Sequence, residues 1–140
     1  MPKLSEIEGI GSKYAKVLAD AGIRGTGGLL TRAGTAAGRK ELAKASGLTT
    51  KQILAWVNRA DLMRVRGVGS EYSDLLEAAG VDTVKELRRR SAANLAKKMA
   101  EVNDATIKKT KKSIVRRVPA QSMVERWVAH ANELDPVVTH

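Results

Sequence analysis

The chain has 140 residues, of which 43% are hydrophobic, 3% aromatic and none cysteine. That suffices for one domain or two small ones with aliphatic cores, and it excludes disulfides and thiolate metal sites. The net charge is +10, and the stretch Arg88–Arg117 alone carries eleven basic residues against two acidic ones, Glu101 and Asp104, so this region suits an anionic polymer or surface unless it is simply a solvated, mobile face.

At the start, Leu4 to Ile7 predicts a short apolar turn leading to a glycine turn, Gly9–Gly11. Ser12 stands where an N-cap is expected, because its hydroxyl can accept an unpaired backbone N–H. Tyr14, Val17, Leu18 and Ala21 recur at helical spacing, and Gly22 stops that helix. The patch Gly25, Gly27 and Gly28 lacks the Gly-Lys-Ser/Thr ending of a nucleotide-binding loop and reads as an ordinary loop. Its second-half counterparts, Thr83, Lys85 and Glu86, look like a normal helix start, so the helix that follows Gly25 is expected to be the shorter or looser of the two. A helix from Thr35 to Ser46 ends at Gly47. Thr49 or Thr50 then caps a helix carrying Ile53, Leu54, Trp56, Val57 and Ala60.

The second half repeats the first. IEGIGSKYAKVLADAGI, from Ile7 to Ile23, returns 58 residues later as VRGVGSEYSDLLEAAGV, from Val65 to Val81. Helices are expected around Val84–Arg89 and Ala92–Val102. The segment VNDATIKKTKKSIVRRV follows; Ile107, Ile114, Val115 and Val118 are its intermittent anchors, and it reads equally as helix or as mobile loop. A last helix after Pro119 carries Met123, Val124, Trp127, Val128 and Ala131. Trp56 and Trp127 hold corresponding places, so the repeat unit is about 60 to 70 residues long. The expectation is an all-α chain of two tandem five-helix units, residues 1–62 and 63–140, the second with a basic insertion at 103–118.

Ile7-Glu-Gly9-Ile10-Gly11 and Val65-Arg-Gly67-Val68-Gly69 each resemble the hairpin of a helix-hairpin-helix motif, with Ala15 and Ser73 at the small position of the following helix. The whole chain resembles the bacterial tandem helix-hairpin-helix proteins, a family of unknown function, with SAM-like five-helix units. The resemblance implies a grip on the DNA backbone across the minor groove, without base reading. Physically, a helix start offers unpaired N–H groups and a partial positive charge, and glycine lets a phosphate approach. The expected contacts are Gly9, Gly11, Ser12, Lys13 and Lys16 in the first copy, and Arg64, Arg66, Gly67, Gly69 and Ser70 in the second. The basic surface adds Arg88, Arg89, Lys97, Lys108, Lys109, Lys111, Lys112, Arg116 and Arg117. Because Lys13 and Lys16 become Glu71 and Asp74, the first hairpin is expected to be the better phosphate binder.

No catalytic constellation emerges. His130 and His140 are the only histidines, one on a helix and one at the terminus, so neither a metal site nor an acid–base pair is expected, and no cofactor. The carboxylates Asp20, Glu77, Asp82 and Glu86 are scattered. Tyr14, Tyr72, Trp56 and Trp127 sit on apolar helix faces rather than on a base-stacking platform, which favours duplex over single strand. No run approaches the ~20 apolar residues of a membrane span, and MPKLSEIEGIG lacks a signal peptide's apolar run. The sequence-based expectation is therefore a non-enzymatic, sequence-tolerant double-stranded DNA-binding protein of the bacterial cytoplasm, associated with the nucleoid. The alternative is an adaptor with structural hairpins, whose basic surface meets an acidic protein or an RNA assembly.

Overall fold

Each glycine turn is followed at once by a helix in the computed structural model, which describes residues 3–140. A 3-10 turn at Leu4–Glu6 precedes eight helices: α1 (Ser12–Asp20), α2 (Thr26–Ala33), α3 (Ala36–Ser46), α4 (Thr50–Leu62), α5 (Ser70–Ala78), α6 (Val84–Leu87), α7 (Ala92–Thr110) and α8 (Gln121–Glu133). Among the described residues there is no strand, only an isolated bridge between Lys3 and Gly25. The chain is all-helical. It divides into two compact units, one running to Asp61 and including Pro136–His140, the other Leu62–Asp135.

The first unit is built on apolar residues whose spacing dictated helices. Leu18 from α1, Leu29 and Ala33 from α2, Leu42 from α3, and Ile53, Trp56 and Val57 from α4 are all buried, together with Ile7 and Ile10 of the glycine turn. Residues 136–140, read from sequence as the end of the second unit, group with this one. Thr139 N–H donates to the Gly34 carbonyl at 2.9 Å, and Val138 is buried. A buried arginine, Arg39, completes that corner. Its guanidinium donates to the Ala33 and Gly34 carbonyls at 3.1 and 2.9 Å, and to the Thr139 carbonyl. Burial pushes its pKa below the ordinary arginine value.

The second unit has its own core of Leu75, Leu76, Val81, Val84, Leu87, Leu95, Met99, Val124 and Trp127. Helix α7 continues to Thr110, beyond the expected end at Val102, so the first part of the basic segment is helical. The reason is legible on its face: Leu95, Met99 and Asn103 follow one another at four-residue spacing and all are buried. Asn103 is not an orphan there. Its Oδ1 accepts from the amides of Ile114 and Val115 at 2.8 and 3.2 Å, and its Nδ2 donates to the Val115 carbonyl at 3.4 Å. Val115 is buried beside it, while Ile107, an expected anchor, is exposed. The returning loop is therefore fastened rather than free. Replacing Asn103 with leucine strands the buried Val115 amide and the part-buried Ile114 amide and should destabilise the second unit by about 2–3 kcal/mol. Urea unfolding reads the loss, and faster hydrogen exchange at Ile114 and Val115 localises it.

Three local expectations are corrected. Ser12 does not cap α1; it is the first helical residue, Gly11 is the N-cap, and no side chain caps this end. Gly25–Gly28 is not all loop, because Thr26 is buried and opens α2 with Gly27 and Gly28 in its first turn. Finally, α2 is longer than α6, with 8 residues against 4. The second copy runs out of chain: Ser91 accepts from the Asn94 amide and opens α7 soon after Thr83 has opened α6. In the first copy the next cap, Thr35, comes two positions later relative to Gly25. Of the two candidates before α4, Thr49 is the cap, accepting from Gln52 N–H at 3.1 Å.

Candidate nucleic-acid interface

The two glycines of each turn do different work. Gly9 and Gly67 adopt φ +92° and +89°, a left-handed conformation that other residues adopt only with strain. A Cβ there would also lie 3.4 Å from the Trp56 indole nitrogen in the first unit, and 3.1 Å from that of Trp127 in the second. Each tryptophan leans on a tyrosine of the following helix: Tyr14 and Trp56 have ring centroids 5.3 Å apart, Tyr72 and Trp127 5.1 Å. This Gly–Trp–Tyr cluster is the common frame of both turns. Gly11 and Gly69 carry ordinary extended backbone instead, with φ −84° and −97°. Nothing lies within 4 Å of where their Cβ would be.

Beyond each open glycine the helix begins without help. The first-turn amides of α1 and α5 have no carbonyl one turn earlier to bond, and no side chain caps either end. α2 and α8 also start without a side-chain cap, whereas Thr35, Thr49, Thr83 and Ser91 each accept from an amide at the start of α3, α4, α6 and α7. Ser12 is exposed and Ser70 half-buried.

The charges around the turns separate the copies. Lys13 and Lys16 are exposed on α1, with the Lys13 ammonium 5.9 Å from the Tyr14 ring centroid. On α5, Glu71 is exposed in the first turn and Asp74 is half-buried. Arg64, an expected phosphate contact, donates its guanidinium to the Asp135 carbonyl at 2.9 Å, so it serves the unit's own packing. Arg66 is exposed, and its backbone amide donates to His130 Nδ1 at 2.9 Å.

The basic residues fall into subsets. Arg88 is half-buried and Arg89 exposed. Lys97, Lys108 and Lys109 are exposed along α7, with Lys108 paired to Asp104 at 3.2 Å on a solvated face. Lys111 closes α7 in the left-handed region at φ 65°, unusual for a side chain of its length. Lys112, Arg116 and Arg117 lie exposed on the returning loop. Tyr72 ties that loop to the hairpin helix, its hydroxyl donating to the Arg117 carbonyl at 3.1 Å. Because Tyr72 lies in the first turn of α5, the Arg116–Arg117 backbone is held beside the second glycine turn. Sequence reasoning missed Tyr72 and Asn103 as positioning residues. Asn103 had a signal, a polar residue on the apolar stripe of α7; the reach of Tyr72 had none.

No helix among the described residues is long and apolar enough to cross a membrane. No curated protein and no solved structure gives a significant match. The model of the family described as Domain of unknown function (DUF4332) matches residues 8–134, which include both glycine turns and both tryptophan helices, and the chain belongs to that family.

Proposed function

We propose that this protein binds double-stranded DNA through its phosphates, without reading base sequence and without catalysis, and that each unit is a helix-hairpin-helix unit. One observation carries the reading. The same arrangement occurs twice in one chain: a left-handed glycine over a tryptophan, an open glycine two residues on, and an uncapped helix start. Uncapped first-turn amides suit an oxyanion, and the missing Cβ lets a phosphate come close. Exposed lysines and arginines of α7 and the returning loop supply attraction that is independent of sequence. The four aromatic side chains are spent on packing: Trp56 and Trp127 are buried, and Tyr14 and Tyr72 lean on them. That leaves no platform for unpaired bases.

The position of Arg116 and Arg117 favours a role for the second turn despite Glu71. Both are exposed cations on the loop that Tyr72 holds to α5.

The open glycines give a clean test. A Cβ at Gly11 or Gly69 meets no atom within 4 Å and needs no unusual backbone angle, so Gly11→Val and Gly69→Val should keep thermal stability near that of the parent. Duplex affinity should fall by about tenfold for each, because a bulky side chain displaces charge-assisted hydrogen bonds worth about 1.5–3 kcal/mol. A folded double variant that binds duplex as tightly as the parent makes the turns pure architecture and sinks this reading.

A further inference from the structure

The two copies differ at a cleft beside α8. In the second unit an open pocket of about 430 Å³ lies against the glycine turn and α8, lined by Arg66, Arg126, His130, Glu133, Met123 and Trp127, among others. The corresponding positions of the first copy are Glu8, Ala55, Arg59, Leu62, Gln52 and Trp56. There the Glu8 carboxylate meets the Arg59 guanidinium at 3.7 Å, so acid and base offset each other. In the second copy Glu8 has become Arg66, and an additional arginine, Arg126, replaces a methyl group. His130 accepts the Arg66 amide at Nδ1, which leaves Nε2 as the donor of the neutral ring. The internal pair is gone, and three hydrogen-bond donors, two of them fixed cations, line one cleft.

We infer that this cleft is a binding site for a nucleoside monophosphate unit, with the phosphate on Arg66, Arg126 and His130 and the base against the Met123 side chain. Guanidinium groups match a phosphate's oxygens with paired N–H donors, which suits them better than lysines to a single phosphate. The floor is apolar: Met123 is half-buried and Trp127 almost wholly buried at 1% exposure. A thioether on a flexible stem adapts to a flat ring. Glu133, exposed at the same cleft, accepts from a sugar hydroxyl or an exocyclic amine and disfavours a bare polyanion. The size lies within the range of small-molecule sites, about 300–1,000 Å³. Such a unit comes either as a free nucleotide or as the 5′-phosphorylated end of a strand. The inference does not rest on duplex binding through the hairpin amides.

Isothermal titration calorimetry of the full chain with AMP, adenosine and inorganic phosphate tests it. AMP is expected to bind once per chain, with adenosine and phosphate each weaker by about tenfold or more, since each offers only one half of the molecule to the cleft. Arg126→Ala should weaken AMP by about tenfold, the effect of removing a charge-assisted hydrogen bond. Lys44→Ala, a charge removed on α3, should leave AMP binding unchanged. No heat with millimolar AMP, equal affinity for inorganic phosphate, or an Arg126→Ala variant that binds like the parent each overturns the assignment. Competition by a duplex with a 5′-phosphorylated overhang, but not by its 5′-hydroxyl form, identifies strand ends as the source. Failure of both duplexes to compete identifies the free nucleotide.

Discussion

Arg39→Met should cost the first unit about 2–3 kcal/mol, the upper part of the range for leaving buried acceptors without their charged donor. Arg39 is 5% exposed and reaches three backbone carbonyls, those of Ala33, Gly34 and Thr139. Two of these end α2, where no further helical amide is available to satisfy them. The third belongs to the chain's last residues, which it holds against the corner where Thr139 N–H meets the Gly34 carbonyl. Methionine fills much of the volume but donates nothing, so the Ala33 and Thr139 carbonyls lose their charged donor and Gly34 keeps only the Thr139 amide. Lysine should rescue little, because a point charge does not reach several acceptors as a planar fork does. Urea unfolding measures the loss, and early hydrogen exchange at Thr139 should accompany it. A cost under about 1 kcal/mol would mean that water replaces the guanidinium without penalty.

Neutralising the exposed lysines at the end of α7 should do the opposite, leaving the fold intact while removing function. With Lys108, Lys109, Lys111 and Lys112 all changed to glutamine, duplex binding should weaken by about a hundredfold at 100 mM salt, and the dependence of log affinity on log salt should flatten by about 0.9 for each phosphate no longer neutralised. Stability should change little. The Lys108–Asp104 pair is solvent-exposed on both sides, where such pairs contribute about 0–1 kcal/mol. Losing cations at a helix C-terminus costs a few tenths of a kcal/mol or so each, and relief of their mutual repulsion offsets part of that. Fluorescence anisotropy reads the affinity, and circular dichroism checks the helix. Unchanged affinity with an unchanged salt slope would detach the basic segment from duplex binding.

Much of this architecture was legible in the residues. The matching glycine turns, the apolar spacing of α1 and α5, Gly47 after α3, and the matching Trp56 and Trp127 all reflect local rules, and the structure follows them. What escaped was decided by contacts distant in sequence. Ser12 looks like a cap, yet the extended backbone of Gly11 moves the cap one residue earlier. The glycines after Gly25 look like loop, but buried Thr26, Leu29, Leu30 and Ala33 make that segment helical through packing. Asn103 and Arg39 are polar residues in cores, and only their distant partners, Ile114 and Val115 for one and Thr139 for the other, explain them. The candidate interface divides the same way. Its glycines and exposed lysines are visible as pattern, whereas the engagement of Arg64 with Asp135 and the tether from Tyr72 to Arg117 required the fold.

The most direct test of the central claim is fluorescence anisotropy of the full chain with a labelled duplex of about 30 base pairs, titrated at salt concentrations from 50 to 200 mM. Unlabelled single strands and a duplex of scrambled sequence serve as competitors. If about six phosphates are neutralised, affinity should fall by about a thousandfold across that range. The scrambled duplex should compete as well as the original, and the single strand less well. Absence of binding at the lowest salt, or binding that ignores salt, would contradict the account.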